Sequence, residues 1–445
     1  MLATFSVGFF AITSAHAATY YVATTGSDSN PGSDGAPFKN VQKAVGVVRA
    51  GDTVIIKPGK YAPFDLKNIN GAEGAQITFQ GEQGSIIDRN LGGENRYRNI
   101  EFYGVNSYIT IDGLELIDSA PPVYRAKTCE EPNTATGRNG IKINKGSNGE
   151  LSHHIVVKNL HVHGLEGHPI LGAVNYLQLL NNYFHDCRGY GTYLTGRYMV
   201  IRGNRIHNMS AHGMRFANEG LDKLLNDSVI ENNIAYNNGG TWPFRSGVPG
   251  APCRMVTGGD GIVLWHGAGN IIRNNIFYGH VGYGIRVNED HSLSKTPNVV
   301  YNNTVYKNGS DGIYTTSGNG RPGKTSIIKN NISYGNVEGQ IENTGPGVVL
   351  SNNLTTDPQF VNPGAGDFGL QASSPAIDKG VTLAEVTTDF AGKARPEAAA
   401  YDIGAFEGAG SKAGVLPGVG AGLPAGWGAG GAGSGGGLGL GNCYK

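Results

Sequence analysis

The chain has 445 residues, 35 basic and 35 acidic side chains, and only 16% charged residues. That balance gives no general electrostatic reason to bind nucleic acid or an anionic membrane. Glycine (71) and asparagine (41) are in excess, but no Gly-X-Y period runs through the glycines, which excludes collagen, and the 39% apolar content excludes disorder throughout.

Residues 1–17, MLATFSVGFFAITSAHA, carry an apolar stretch ending in Ala15-His16-Ala17 and read as a secretory signal peptide, too short to span a bilayer. No later segment reaches 18 apolar residues. The expectation is an exported monomer without a transmembrane segment: secreted, periplasmic or at the cell surface. In an oxidising compartment Cys129, Cys187, Cys253 and Cys443 allow one or two disulfides. Further on, PFKNVQKAVGVV (37–48) has the spacing of a short amphipathic helix, with Phe38, Val41, Ala44 and Val48 on its apolar side.

A repeat then dominates. LQLLNNYFHD, VIRGNRIHNM, VIENNIAYNN, IIRNNIFYGH, VVYNNTVYKN, IIKNNISYGN and VLSNNLTTDP share one form: a short strand, an Asn, another short strand. The aligned residues are Asn182, Asn204, Asn233, Asn275, Asn303, Asn331 and Asn353, preceded by Asn159 in VVKNLHV. Most are followed by a Gly-initiated alternating strand: GTYLTG, GMRFAN, GIVLWH, GIRVNE and GIYTTS. A unit with three short strands cannot bury its apolar face alone, and stacking coil on coil supplies one continuous core. The Asn at a fixed turn is then expected to form a ladder of side-chain amides, a residue type that also tolerates left-handed backbone. The fold class is therefore all-β: a parallel β-helix solenoid over 18–407 with a short N-terminal capping helix. Residues 408–445, with 16 Gly among 38, read as a flexible low-complexity tail.

The repeats, together with TYYVATTGSDSNPGSDGAPFKNVQKAVGVVRAGDTVIIKPGKY at the start, resemble the right-handed, pectate-lyase-like β-helix superfamily. The segments DPQFVNPGAGDFGLQASSPAIDKG and YDIGAFE resemble the C-terminal cap of β-helix proteins that carry interchangeable surface anchors. The resemblance implies a right-handed coil and points to carbohydrate, but the fold hosts lyases, hydrolases, epimerases and adhesins.

Interruptions of the repeat suggest where a ligand binds. Residues 119–138 and 239–258 are inserted before Gly-initiated strands, and 217–228 and 288–297 follow such strands, so both sides of one strand face are flanked. Cys129 and Cys253 sit in the first two insertions and suggest a disulfide between them, with Cys187 the rival partner. The resemblance places a sugar chain on that same face. If Ile141, Met214, Ile262, Ile285 and Ile313 point inward, then Lys142, Tyr193, Arg215, Val263, Arg286 and Tyr314 point out, with Trp265, Asn288 and Thr316 in a parallel row. Basic groups there suit uronate carboxylates, and Tyr193, Trp265 and Tyr314 suit sugar faces.

The expected function is that of an exported polysaccharide lyase, or related uronate epimerase, acting on an acidic polysaccharide. Removal of the proton α to a uronate carboxylate needs a base and cations that stabilise the resulting anion. In superfamily lyases the base is Lys or Arg, and Ca²⁺ or basic side chains neutralise charge. Lys142, His212, Arg215, Arg286 and Asp260 are the catalytic candidates; Tyr193, Trp265, Asn288 and Tyr314 the substrate-binding ones; Glu289 and Asp290 the Ca²⁺ ligands. A glycoside hydrolase would pair Asp260 with Glu289 or Glu219. A non-catalytic carbohydrate-binding adhesin is a third reading. His161 and His163 alternate on one strand and would suit zinc, but no third ligand is evident from the sequence, and His185, His207, Tyr236, Tyr278, Tyr306 and Tyr334 read as an outer aromatic ladder.

Overall fold

The computed structural model describes residues 17–93, 96–119, 138–216, 225–244, 254–288, 296–316, 326–344 and 347–410. Within them the apolar residues of successive coils stack in files. Phe184, Ile206, Ala235, Phe277 and Val305 form one file and Leu179, Ile201, Ile230, Ile272, Val300 and Ile328 another, all fully buried. Each coil pairs in parallel with the next, so every inward side chain meets its counterpart one coil on.

Three faces result. Sheet one holds the strands preceding each repeat Asn, such as Val200–Arg202 and Ile271–Arg273. Sheet two holds those following it, such as Arg205–His207 and Ile276–Tyr278. Sheet three holds the Gly-initiated strands, among them Thr192–Arg197, Met214–Phe216, Ile262–Trp265, Ile285–Asn288 and Ile313–Thr316. Among the described residues, sheets one and three run into each other as one bent sheet of 23 strands, and sheet two has 10.

The repeat asparagines form the expected ladder, with one correction. The side-chain oxygen of each of Asn204, Asn233, Asn275, Asn303, Asn331 and Asn353 accepts from both the backbone N–H and the side-chain amide of the preceding rung, at 2.9–3.0 Å. Asn159 is not a rung: Leu160 holds that position, donating its N–H to Asn182. Asn159 instead joins Asn181, Asn232, Asn274, Asn302, Asn330 and Asn352, which have φ between 50° and 57°. The two properties expected of one Asn are thus divided between neighbours: the first of each pair takes the left-handed turn and the second is the buried rung. Two further ladders, through Asn238, His280, Asn308 and Asn336 and through Ser228, Asn270 and Asn298, close the other corners.

Where a glycine opens a sheet-three strand, close approach of coils requires it. A Cβ on Gly213 would lie 2.7 Å from the Gly261 carbonyl oxygen, and one on Gly261 would lie 2.5 Å from that of Gly284. At the N-terminal end the helix is short, Val41–Val45, and Phe38, Val41, Ala44 and Val45 are buried while Val48 packs partly against the core. At the other end, Phe360, Phe368, Phe390 and Phe406 form a second apolar cluster with Tyr306 of sheet two. The YDIGAFE segment is pinned by Arg395, whose buried guanidinium donates to Glu407 and to the Asp402 carbonyl.

Cys187 is a buried free thiol, and burial pushes its pKa up to about 12. Cys129, Cys253, Cys443, Glu219, Glu289, Asp290, residues 1–16 of the expected signal peptide and the residues beyond 410 lie outside the described residues. Among the described residues no helix is long and apolar enough to cross a membrane.

Candidate functional site

The outer face of sheet three carries one side chain per coil in the order Glu101, Lys142, Leu171, Tyr193, Arg215, Val263, Arg286, Tyr314. The inward set is as expected: Ile141, Met214, Ile262, Ile285 and Ile313 are buried. Leu171 has no counterpart in the sequence reading, because its strand, Ile170–Asn175, follows Pro169 where those of Tyr193, Arg215, Val263, Arg286 and Tyr314 follow Gly. From Lys142 to Arg215 is three coil spacings, about 14 Å, whereas Arg215 and Arg286 are two apart, about 10 Å. The candidates therefore separate into a Lys142 group and an arginine pair.

Both arginines are packed between aromatic rings. The Arg215 guanidinium lies 4.8 Å from the Tyr190 ring centre and 5.0 Å from that of Tyr193, and its Nη1 donates to the Tyr190 hydroxyl at 2.6 Å. Arg286 lies 4.8, 5.1 and 5.8 Å from the rings of Trp265, Tyr283 and Tyr314. Among the described residues neither makes a salt bridge, and the Nε of each is buried without an acceptor. A guanidinium held among aromatic rings retains a planar set of N–H donors, the chemistry that takes a carboxylate in bidentate fashion. Tyr190 and Tyr283 were not among the sequence candidates. The available signal was their place immediately before the strand-opening glycine, which they share with His212 and Asp260.

That pre-glycine row has its own logic. The Asn139 side-chain oxygen accepts from the His168 N–H at 2.8 Å, and His168 Nδ1 from the Tyr190 N–H at 2.8 Å. His212 Nδ1 accepts from the Asp260 N–H at 2.9 Å, and Asp260 Oδ1 from the Tyr283 N–H at 3.0 Å. With Nδ1 engaged as an acceptor, the neutral His212 ring carries its proton on Nε2. Burial, then repulsion from Arg215 and Arg286, takes its pKa down to about 3. His212 is thereby a neutral donor at Nε2, which argues against the base role. Burial pushes Asp260 up to about 6, opposed by the Tyr283 N–H and both arginines. Its Oδ2 is buried with no hydrogen-bond partner, 3.3 Å from His212 Nδ1.

A stability prediction follows from Asp260. Its ordinary pKa is near 3.8, so between that pH and about 6 the native state holds a proton that the unfolded chain has released. Stability therefore falls as pH rises through this window, by on the order of 3 kcal/mol. Asp260→Asn keeps an oxygen for the Tyr283 N–H and removes the charge. Its melting temperature is expected to exceed the parent's at pH 8 and to match it near pH 3. Thermal melts at both values check this; an unchanged or lower value at pH 8 contradicts it.

Lys142 is half-buried, and burial followed by Arg98 lowers its pKa while Glu101 opposes. Glu101 accepts from Asn144 at 2.9 Å. Asn288 is buried, beside Trp265 in register. Ca²⁺ takes six to eight oxygens, and among the described residues no group of three metal-ligating side chains converges beside the arginine pair; the Asp260 carboxylate there already caps the Tyr283 N–H and faces two guanidiniums. Glu289 and Asp290, expected as calcium ligands, lie outside the described residues.

A family profile described as "right handed beta helix region" matches residues 131–289 and 170–355, and one described as a protein of unknown function (DUF1565) matches 24–65. Pectate lyase PEL9 of Emericella nidulans is 28% identical over 156 residues, 32% of this chain and 38% of that protein. The chain thus spans well under half the length of this curated relative. The crystal structure of pectate lyase Pel9A superposes with a TM-score of 0.60 at 18% identity, covering 88% of this chain and 96% of that one. XylC in complex with xylose superposes at 0.54 and 14% identity, over 88% and 98%. These two likenesses concern the fold. With the profile covering residues 131–355, more than half of its length, the chain belongs to the right-handed β-helix, pectate-lyase-like superfamily.

Proposed function

We propose that the protein is an exported lyase that cleaves an acidic polysaccharide by β-elimination on the outer face of sheet three. The observation that carries this reading is the arginine pair: two guanidiniums without carboxylate partners among the described residues, about 10 Å or roughly two sugar lengths apart, each framed by aromatic rings. Such a pair accepts two uronate carboxylates of one chain, and Tyr193, Trp265 and Tyr314 take the sugar faces. A guanidinium on the carboxylate of the reacting uronate stabilises the negative charge that develops when the α proton leaves. Expulsion of the 4-linked sugar oxygen then forms the C4–C5 double bond.

Asp260 is the base in this reading, since its pKa of about 6 suits proton abstraction near neutrality. It is only 3% exposed, so substrate reaches Oδ2 by displacing the side chains that cover it. Lys142, three coils away, serves a distal sugar. The likeness to PEL9 supports the reaction class.

The test is incubation with polygalacturonate, alginate and glycosaminoglycans, with and without a calcium chelator. Ultraviolet absorbance of the unsaturated product is expected with one of them, rising with pH through about 6 as Asp260 loses its proton. Reducing ends without that absorbance would mean hydrolysis, and retained binding without product would mean an adhesin. Either result overturns the lyase.

A further inference from the structure

Sheet two, whose outer face has no part in the groove, brings together what its sequence leaves far apart. His161 and His163 point outward from one strand, His161–His163. The next coil places Tyr183 opposite His161 and His185 opposite His163, and the preceding coil places Glu115 opposite His161. The third imidazole missing from the sequence reading is therefore His185, supplied 24 and 22 residues downstream by the coil period. One ligand atom from each of His161, His163 and His185 lies within 4.8 Å of the others. His161 Nε2 and His185 Nε2 are 2.8 Å apart, and His163 Nε2 is 2.9 Å from Glu115 Oε1.

We propose that His161, His163 and His185, with Glu115 as a fourth donor, bind a divalent first-row transition ion, Zn²⁺ in the first instance, that crosslinks three successive coils. Three imidazoles and a carboxylate match the donor preference of this ion. A tetrahedral zinc with bonds of about 2.0–2.1 Å holds its nitrogens about 3.3 Å apart. The His161–His185 pair must open by roughly half an ångström, and the parallel His163 and His185 rings must turn so that their planes meet at the ion, rotations that the broad χ2 torsion of histidine allows. His185 is also held from behind: its Nδ1 is 2.7 Å from the Asp186 carboxylate. A carboxylate on the far nitrogen fixes the tautomer that leaves Nε2 free to ligate, the usual support of a metal-bound histidine. Glu115 and His163 remain a quarter to a third exposed, so an ion has a path in.

The competing explanation is stacking. His163 and His185 are parallel at 5.1 Å, and the file continues through His207 at 5.2 Å and Tyr236 at 4.5 Å. Stacking accounts for that file, but it gives no reason for Asp186 to orient His185 or for Glu115 to face His163 Nε2. His207 separates the two, being a rung of the stack outside the cluster.

Untagged, chelator-treated full-length protein is titrated calorimetrically with zinc sulfate, and Co²⁺ is used as a spectroscopic substitute. One Zn²⁺ per chain is expected, displacing Co²⁺ whose visible bands report tetrahedral nitrogen and oxygen ligation. His163→Gln and His185→Gln are expected to weaken zinc at least about 100-fold, and Asp186→Asn about 10- to 100-fold. His207→Gln is expected to leave affinity unchanged. Absence of stoichiometric binding to the parent protein, or equal affinity in the His163 and His185 variants, overturns the proposal. The cobalt spectrum of the parent protein decides even if a variant fails to fold.

Discussion

Asn275→Ala is expected to destabilise the solenoid by at least about 3 kcal/mol, because one side chain serves five partners in a site closed to water. Its oxygen accepts from the N–H and the side-chain amide of Asn233, and its own amide donates to the carbonyls of Ile230 and Arg273 and to Asn303. Asn233, Asn275 and Asn303 are all fully buried. Alanine orphans the buried Asn233 N–H, which costs about 1–3 kcal/mol, and removes four further bonds from the Asn233 amide, the Ile230 and Arg273 carbonyls and the Asn303 side chain, each worth about 0.5–1.5 kcal/mol. The neighbouring Asn274→Ala is the control. That residue sits at φ 52° and donates to the Thr388 carbonyl at 2.7 Å, so a smaller loss of about 1–2 kcal/mol is expected from the left-handed turn. Urea unfolding gives the ranking, and hydrogen exchange at the Asn233 amide reads the break locally. A loss for Asn275→Ala no larger than for Asn274→Ala would show that the ladder is not what fastens coil to coil.

The same pair explains how much was legible beforehand. The period that aligned Asn182 with Asn353 was strong enough to define stacking, because the core requires it of every coil. It did not distinguish the two asparagines of each pair, since a turn residue and a buried rung favour the same residue type. Asn159 was misplaced for that reason. The outward row on sheet three was legible from alternation wherever Gly opened the strand, and it failed at Leu171, where Pro169 stands instead. The grouping within that row was not legible. Lys142 and Arg215 look equivalent in pattern: the coil period gives the five steps from Lys142 to Arg286 but not the rings and charges that surround each side chain. Tyr190 and Tyr283 escaped because their role is to frame an arginine three positions along, on the next coil for Tyr190 and on the same coil for Tyr283, a relation with no sequence period of its own. His212 looked like a base by type, but its Nδ1 caps the Asp260 N–H, a bond that exists only once coils are stacked. His185 completed a histidine cluster for the same reason: residues 22 apart become neighbours at one coil spacing.

Arg215→Ala and Arg286→Ala should each reduce kcat/KM on the preferred polyuronate by about 10- to 150-fold, the loss of one charge-assisted bond worth about 1.5–3 kcal/mol. The two sites are about 10 Å apart with Val263 between them in register. Their effects are expected to add in free energy if each guanidinium holds a different carboxylate of one chain. Lysine at either place is expected to recover only part of the loss: it keeps the charge but lacks the planar fork and the stacking on Tyr190 and Tyr193 or on Trp265, Tyr283 and Tyr314. Because the interaction is ionic and partly open to solvent, KM of the parent should rise with salt, and this dependence should flatten in the double variant. Binding to a neutral glycan distinguishes the charges from the rings. If it falls as much as binding to the polyuronate, the arginines act only by holding the aromatic platform. If activity on the polyuronate survives both substitutions, catalysis is not on this part of sheet three, and the group around Lys142 becomes the place to look.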